Sequence, residues 1–481
     1  MLGTKQLLIN GAWQDASGGK TMPVVNPATE DVIAHVASAT AADVDAAVAA
    51  ARAALAGPWG KLSARERGRL LWKLGDRITE QIDEISRLET LHNGKPITES
   101  RHIEVPMAVE CLQYFAGWAD KVHGETVPVK GQALVYTLRE PLGVVACIVP
   151  WNFPLLLAMW KVAPALATGN TVILKPASQT PLTALALGQL AIDVGFPPGV
   201  LNVITGRGSE VGDAIVRHPG VDKIAFTGDT STGRGIMRGA ADTVKHLTLE
   251  LGGKSPNIVF PDADLDAAIR GATTGIFYGK GEVCAAGSRL LVDRSIKDQF
   301  IAKVAERTKK MVAGDPLDPK TRLGAVSSKS QLERVLHYVE TGKREGATLV
   351  AGGQRADIGT GKGYFMQPTV FADVQPAMTI AREEIFGPVL AAIEFGDVDE
   401  AIARANDSIY GLAAGIWTRD IKKAHYVASK LQAGTVWINT YNVYDTAAAF
   451  GGYKQSGFGR EMSVHALESY TQVKTVWVDL T

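Results

Sequence analysis

The first forty residues alternate apolar and polar positions around turn-forming clusters, as in "INGAWQDASGGKTMPVVNP". A period of two, punctuated by Gly, Asn, Asp and Pro, predicts β-hairpins. The period then lengthens. "AADVDAAVAAARAALAG" and "SARERGRLLWKLGDRITEQIDEISRLETLHNGKP" repeat apolar residues every three to four positions, which predicts two helices, the second ending near Gly94. Alternation returns at 124–143, "GETVPVKGQALVYTLREPLG", where few positions ask for burial, and at the chain end, "ESYTQVKTVWVDL". These two segments predict a hairpin and a strand suited to a sheet that bridges subunits.

Between these segments short apolar runs recur about every 25 residues: "GVVACIVPWN", "NTVILKPA", "GVLNVITG" and "VDKIAFTG". Helical stretches such as "PLTALALGQLAIDVG" and "EVGDAIVRH" separate them. Strands alternating with helices predict an α/β fold with a doubly wound parallel sheet, whose ligands sit at the carboxyl ends of the strands. Those ends read "PWNFP", "KPASQ", "TGRGSEVG" and "TGDTSTG". A second series follows, with strands at "SPNIVF", "SRLLV", "GATLVAGG", "AAIEF" and "AAGIWT" and helices at "SIKDQFIAKVAERTKKMVAG" and "DIKKAHYVASKLQAG". It predicts a second α/β domain. The most apolar stretch, "VVACIVPWNFPLLLAMW" at 144–160, is 17 residues long and is interrupted by Pro150, Asn152 and Pro154. It reads as a buried strand, a turn and the start of a buried helix rather than a membrane span.

Length and charge narrow the picture. A chain of 481 residues exceeds one ordinary core, so two or three domains are expected. Lys+Arg and Asp+Glu are both 50, so no basic excess points to nucleic acid or to a membrane surface. The N-terminus lacks the charged and apolar regions of a secretory signal. Three cysteines, Cys111, Cys147 and Cys284, are too sparse for a disulfide framework and suit a reducing, cytoplasmic compartment. No cysteine and histidine spacing matches a zinc site, so no metal is expected.

The candidate chemistry starts at "GEVCAAGSR", 281–289, where five of nine residues are Gly, Ala or Ser around Cys284. By itself this is either a cysteine in a packed turn or a nucleophile with room above its sulfur. "FTGDTSTGRGIMRGAADT", 226–243, is a strand end, a turn and a helix start, where free N–H groups favour an anion. "GRGSEVG", 206–212, only approaches a phosphate-binding glycine pattern. Lys175, just past an apolar strand, is either a surface charge or a contact to ribose or phosphate. Asn152, between Trp151 and Phe153, is either a turn-former or an oxyanion donor. Glu250, after an apolar alternation and before two glycines, is either a cap or a desolvated general base.

Taken in order, "VPWNFPLLLAMWKVAPALATGNTVILKPASQTP", "FTGDTSTG", "LELGGKSPNIVF", "GEVCAAGSR", "EEIFGPVL" and "FGGYKQSGFGRE" resemble the aldehyde dehydrogenase superfamily from near residue 5 to the C-terminus. The resemblance implies oxidation of an aldehyde to its acid with reduction of NAD(P), through a cysteine thiohemiacetal and thioester. It implies a cofactor-binding domain over 1–122 and 143–252, a catalytic domain over 253–455, and an oligomerisation arm over 123–142 and 464–481 that makes a homodimer or homotetramer. On matching positions it implies Cys284 as nucleophile, Glu250 as the base that activates water, and Asn152 with the Cys284 N–H as oxyanion hole. Cofactor contacts fall on Val149, Trp151, Lys175, Ser178, Phe226, Gly228, Asp229, Leu251, Glu384 and Phe386. Lys161 and Glu461 fall on a proton relay. Phe153, Trp160, Tyr278, Tyr444 and Phe450 fall on the substrate tunnel, and no Arg or Lys matches a tunnel position.

Two departures carry consequences. Asp229 stands where the family often has Ser, and a charge about 5 Å from a pyrophosphate costs about 3 kcal/mol at an effective dielectric of about 20. It is therefore expected to turn away and cap the following helix. Ser178 stands where NAD-preferring members often have Glu, which repels a 2′-phosphate, so NADP stays open beside NAD. The aromatic tunnel implies an aromatic or medium-chain aliphatic aldehyde, with a quaternary ammonium aldehyde held by cation–π contacts as the alternative. A CoA-acylating relative leaves Glu250 idle, and a non-catalytic protein leaves Cys284, Glu250 and Asn152 unexplained.

Overall fold

The computed structural model describes residues 2–481. Five parallel strands form the centre of an eight-stranded sheet, in the spatial order His246–Glu250, Lys223–Thr227, Val144–Ile148, Thr171–Lys175 and Leu201–Val203. The strand order reverses between Val144–Ile148 and Lys223–Thr227. This is the switch point of a doubly wound sheet, where the connections leave to opposite sides and open a crevice. The hairpin Leu7–Ile9 and Ala12–Gln14 adds antiparallel strands at one edge, and Gly457–Phe458 returns late in the chain to pair with Leu249 and Glu250 at the other.

A seven-stranded sheet follows, with Val389–Phe395, Arg289–Asp293, Pro256–Val259 and Ala413–Trp417 parallel at its centre. Two of its strands, Thr369–Ala372 and Thr435–Ile438, lie outside the strands expected from periodicity. Both are four residues long, too short for alternation to stand out. The third sheet pairs Ala133–Pro141 with Thr471–Asp479 over nine residue pairs, and Thr126–Val127 flanks it. Its apolar Leu134, Leu138, Val473 and Trp477 are exposed, Trp477 by 62%.

The helix expected to run unbroken to Gly94 is two helices, Ala64–Glu80 and Ile82–Asn93. Gln81 breaks it: its N–H bonds back only three residues, to Ile78 O, while its own carbonyl accepts from Ile85 N. Gly94 does end the second helix, in the left-handed conformation at φ 86°. The segment Pro154–Ala167 is a helix buried on every side, and Lys161 is its single charged residue. Among the described residues no helix is long and apolar enough to cross a membrane.

Gly94 has two reasons to lack a side chain. Its φ is +86°, and a Cβ would stand 2.6 Å from Ala325 O and 2.7 Å from Pro27 Cγ. Gly195 shares the conformation, at φ +94°, but faces open space. Gly94→Ala should therefore lose on the order of 3 kcal/mol, against about 1 kcal/mol for Gly195→Ala. Thermal unfolding of the two variants checks this, and equal losses would show that backbone conformation alone sets the cost.

Candidate active site

The crevice at the switch point is a cleft of about 180 Å³. Trp151 and Asn152 enter it from the end of Val144–Ile148, and Gly228 and Asp229 from the end of Lys223–Thr227. Cys284, Glu384 and Phe386 close it from the second sheet, with Leu251 and Gly252 at the seam. The structure therefore gathers the candidate nucleophile, the candidate oxyanion donor and much of the expected cofactor set around one space.

Cys284 follows a turn in which Gly279, Lys280 and Gly281 are all left-handed, at φ 56°, 62° and 71°. The conformation costs a lysine roughly 1–2 kcal/mol. The contacts of its buried ammonium offset that cost: Lys280 Nζ donates to Asn93 Oδ1 at 2.6 Å and Asn93 O at 3.0 Å, and pairs with Glu282 at 2.9 Å. The turn delivers Cys284 half-buried at the cleft. Burial, then the charges of Glu250 and Glu384, push its thiol up to about 12.

Asn152 donates from Nδ2 to Glu282 O at 2.9 Å. A carbonyl can only accept, so this contact fixes which end of the amide is NH2 and leaves its second N–H free. Glu250 ends its strand buried, with Oε2 unpartnered. Burial, then Glu461, raises its carboxyl well above the usual range, opposed by Lys161. Lys161 Nζ donates to Glu461 Oε1 and to Thr227 Oγ1, both at 2.6 Å. The expected relay pair is thus in direct contact, and Thr227 joins it without having been singled out.

On the cofactor side, Asp229 caps the helix Thr230–Ala240, accepting from Ser231 N at 2.8 Å and Thr232 N at 3.3 Å. It keeps its expected capping role, yet still lines the cleft, and it occupies two of the N–H groups a phosphate would use. Glu384 accepts from Gly253 N at 2.9 Å, and burial pushes its carboxyl up to about 7. Phe386, left-handed at φ 59°, meets Trp151 edge to face at 5.2 Å. Two residues outside the expected set hold this loop: Arg334 donates to Glu384 O at 2.9 Å and Gln331 to Phe386 O at 2.7 Å. Their helix, Lys329–Arg344, carries an amphipathic period that periodicity alone could have found.

Lys175 lies buried at the next strand end, where its ammonium has one acceptor, Pro176 O at 3.1 Å, and burial brings it down to about 8. Ser178 donates to Gly206 O at 3.3 Å, which places the "GRGSEVG" loop beside these two residues rather than around the cleft. Val149 and Phe226 are buried at the strand ends and support the cleft. A dinucleotide fits this set: a carboxylate with one oxygen committed and an aromatic pair line the crevice, and an under-satisfied ammonium stands at the end of the neighbouring strand.

The aromatic residues form two groups. Phe153 and Tyr278 stack at 6.2 Å. Trp160, Tyr444 and Phe450 pack together, with centroids 5.5–6.2 Å apart. A lysine from outside the expected tunnel positions reaches this wall: Lys95 Nζ lies 4.5 Å from the Phe153 ring centroid. No tunnel motif revealed it because Lys95 precedes Phe153 by 58 positions. Its charge is spent on Glu104 and on Asn152 O. Arg289, in contrast, turns into the second sheet, where Lys254 O, Ala405 O and Arg404 O accept its hydrogen bonds.

The match to known proteins agrees with this geometry. Residues 13–476 match the aldehyde dehydrogenase family. The human mitochondrial aldehyde dehydrogenase is 50% identical over 476 residues, covering 98% of this chain and 92% of that protein. The NAD+ complex of the aldehyde dehydrogenase from Bacillus cereus is 51% identical, covers 99% of this chain and 97% of that one, and superposes with a TM-score of 0.98. The indole-3-acetaldehyde dehydrogenase AldA of P. syringae, in complex with NAD+ and IAA, is 45% identical, covers 99% and 97% of the two chains, and has a TM-score of 0.97. The chain belongs to the aldehyde dehydrogenase family. Its activity is the NAD-dependent oxidation of an aldehyde.

The thiol's environment predicts its reactivity. Cys111 and Cys147 are buried, and burial raises both thiols, so alkylation reports on Cys284. A raised pKa leaves little thiolate at neutrality, and the thiolate fraction grows with pH. Without cofactor, the rate of iodoacetamide labelling should climb about tenfold per pH unit from roughly pH 6 to 9. A plateau below pH 8 would show that the resting sulfur is already ionised.

Proposed function

We propose that Cys284 is the nucleophile, that Glu250 is its proton acceptor and the base for hydrolysis, and that Asn152 with the Cys284 N–H forms the oxyanion hole. The observation that carries this reading is that Asn152, its amide oriented by Glu282 O, lines one cleft with Cys284. As the sulfur–carbon bond forms, the thiol proton passes to Glu250, whose carboxyl burial has made basic enough to take it. The aldehyde oxygen gains negative charge and is met by the free Asn152 N–H and the Cys284 N–H. NAD+, held along the crevice by the residues named below, would supply the acceptor for the hydride that leaves the thiohemiacetal carbon, and that carbon would become a thioester. Glu250 then takes a proton from water as it attacks that carbon, the sulfur–carbon bond breaks, and the acid leaves. Lys161 and Glu461 lie behind Glu250 and pass its protons toward solvent.

The cofactor set is Val149, Trp151, Lys175, Ser178, Phe226, Gly228, Asp229, Leu251, Glu384 and Phe386. With Ser178 neutral, NADP competes with NAD at the adenosine end. The segments 1–122 and 143–252 carry the cofactor, 253–455 carries the nucleophile, and the exposed apolar sheet of 123–142 and 464–481 joins subunits into a dimer or tetramer. Three free cysteines suit a cytoplasmic setting.

The substrate is an aromatic or medium-chain aliphatic aldehyde. The two aromatic groups support this, as does the absence of a free cation once Lys95 is paired with Glu104. AldA, which acts on an indole aldehyde, supports the aromatic branch. A buried carboxylate tail without a partner costs several kcal/mol. Comparison of kcat/KM for benzaldehyde, hexanal, betaine aldehyde and succinate semialdehyde, each with NAD and NADP, checks the assignment. Benzaldehyde or hexanal should lead; betaine aldehyde in front would favour a cation–π cage, and succinate semialdehyde in front would overturn the apolar tunnel.

Glu250→Gln should slow hydrolysis of the thioester more than its formation. A burst of reduced cofactor followed by a slow steady state is the expected trace. A variant with neither a burst nor a slower steady state would move the base to Glu461.

A further inference from the structure

Beneath the cleft lies a dry cluster of charges that no step above uses. Lys95 and Glu104 form an ion pair, each 1% exposed. The Lys95 ammonium also donates to Asn152 O at 2.7 Å. Asn93 Nδ2 donates to Trp151 O at 2.7 Å and reaches Asn152 O at 3.4 Å. The same Asn93 takes the Lys280 ammonium on its other side. Lys280 pairs with Glu282, whose carbonyl accepts from Asn152 Nδ2 and whose carboxylate accepts from Ser327 N at 3.0 Å. Asn152 is thus gripped twice, at its main-chain oxygen by Lys95 and at its side chain by the nucleophile's own loop.

We propose that Lys95, held by Glu104, is a positioning residue for the oxyanion hole: its ammonium fixes the Asn152 peptide so that the free amide N–H meets the developing oxyanion. This rests on Asn152 being the oxyanion donor. Two features argue for a role beyond packing. An ammonium in a dry interior is costly unless every partner is well placed, and one of its partners here is the carbonyl of Asn152 itself. The peptide it holds also sits at the strand-to-helix turn between Ile148 and Pro154; Val149 N still donates to Lys175 O at 3.1 Å, but among the described residues no backbone–backbone hydrogen bond holds 150–152. Loss of a positioning contact displaces a donor by fractions of an ångström, which matters for a transition state and little for ground-state binding.

The experiment is a kinetic double-mutant cycle on the full-length enzyme, read as the pre-steady-state rate of NADH formation with benzaldehyde or hexanal, whichever is the better substrate. Asn152→Ala should lower this rate about 100-fold or more. Lys95→Met should lower it about tenfold or more, with aldehyde KM changed by less than about threefold and NAD binding unchanged. In the Asn152→Ala background, Lys95→Met should cost less than about threefold further, because the group it positions is gone. Glu104→Gln, which keeps an acceptor for the ammonium, repeats the cycle with a smaller first loss and carries the test if Lys95→Met does not fold. The same fold-loss from Lys95→Met or Glu104→Gln in both backgrounds, or no loss in either, would overturn the proposal. An unaffected rate in Asn152→Ala alone would instead remove Asn152 as the donor, and the positioning role with it.

Discussion

The chain crosses from one sheet to the other at Gly252 and Gly253, and the absence of two side chains there sets the spacing of the site. A Cβ on Gly252 would stand 2.2 Å from Glu384 Oε2, and one on Gly253 would stand 2.4 Å from Cys284 O. The crossing is pinned as firmly as a strand. Glu250 O accepts from Gly228 N at 3.0 Å, Leu251 N donates to Ser456 O at 3.0 Å, and Ser456 Oγ donates to Gly252 O at 2.7 Å. Buried backbone groups must be paired, so the seam has little freedom to slide. A short length of chain therefore brings together the candidate base, the loop of the candidate nucleophile and the Glu384 carboxylate. Each arrives on a different element, and each stands close because the backbone between them carries no bulk.

Dryness then decides what those groups do. Burial is the first cause of the raised Glu250, Glu384 and Cys284 groups, and nearby carboxylates add to it: Glu461 for Glu250, Asp229 for Glu384, and Glu250 and Glu384 for Cys284. A carboxyl in such a place binds a proton readily, which a base in water at the same pH would not. The cluster under Asn152 meets the same constraint differently. Glu89, Glu99, Glu104 and Glu282 face only two ammonium groups, Lys95 and Lys280, and none of the six is exposed beyond 9%. Burial and the neighbouring Glu104 push Glu99 up to about 8, which favours its protonated form and eases part of the imbalance. Its Oε1 can still accept from Gly279 N at 3.4 Å, at the start of the left-handed turn that leads to Cys284.

Much of this was legible in the sequence, for physical reasons. The parallel strands are short apolar runs bounded by Gly and Pro, and their carboxyl ends carry the residues that line the cleft. Asp229 could be read as a cap because a carboxylate before a helix start has N–H groups within reach. Lys161 stands out as a charge within an apolar helix. What stayed hidden depends on contacts between distant segments. The break at Gln81 leaves the apolar spacing nearly undisturbed, so periodicity runs across it. Lys95 and Glu104, nine positions apart, belong to no motif in the sequence, and it is the π-helical turn Ser100–Glu104 that brings the carboxylate back onto the ammonium. Their shared target, Asn152, lies 57 positions beyond Lys95.

The same carboxylate links two parts of the site that serve different ends. Glu104 pairs with Lys95 through one oxygen and accepts from Tyr278 OH at 3.3 Å through the other. Tyr278 stacks on Phe153, and Phe153 is the residue next to Asn152 and the ring over which Lys95 lies. The aromatic wall and the candidate oxyanion donor are therefore not separate constructions. A side chain that shifts Tyr278 moves a hydrogen bond on Glu104, and Glu104 sets how much of the Lys95 charge is left for the Asn152 carbonyl. A phenylalanine at this position would keep the stacked wall and release that oxygen. With the phenol present, the position of the Tyr278 ring and the hold on the Asn152 carbonyl rest on one buried ion pair, and coupling of this kind travels through contacts rather than through distance.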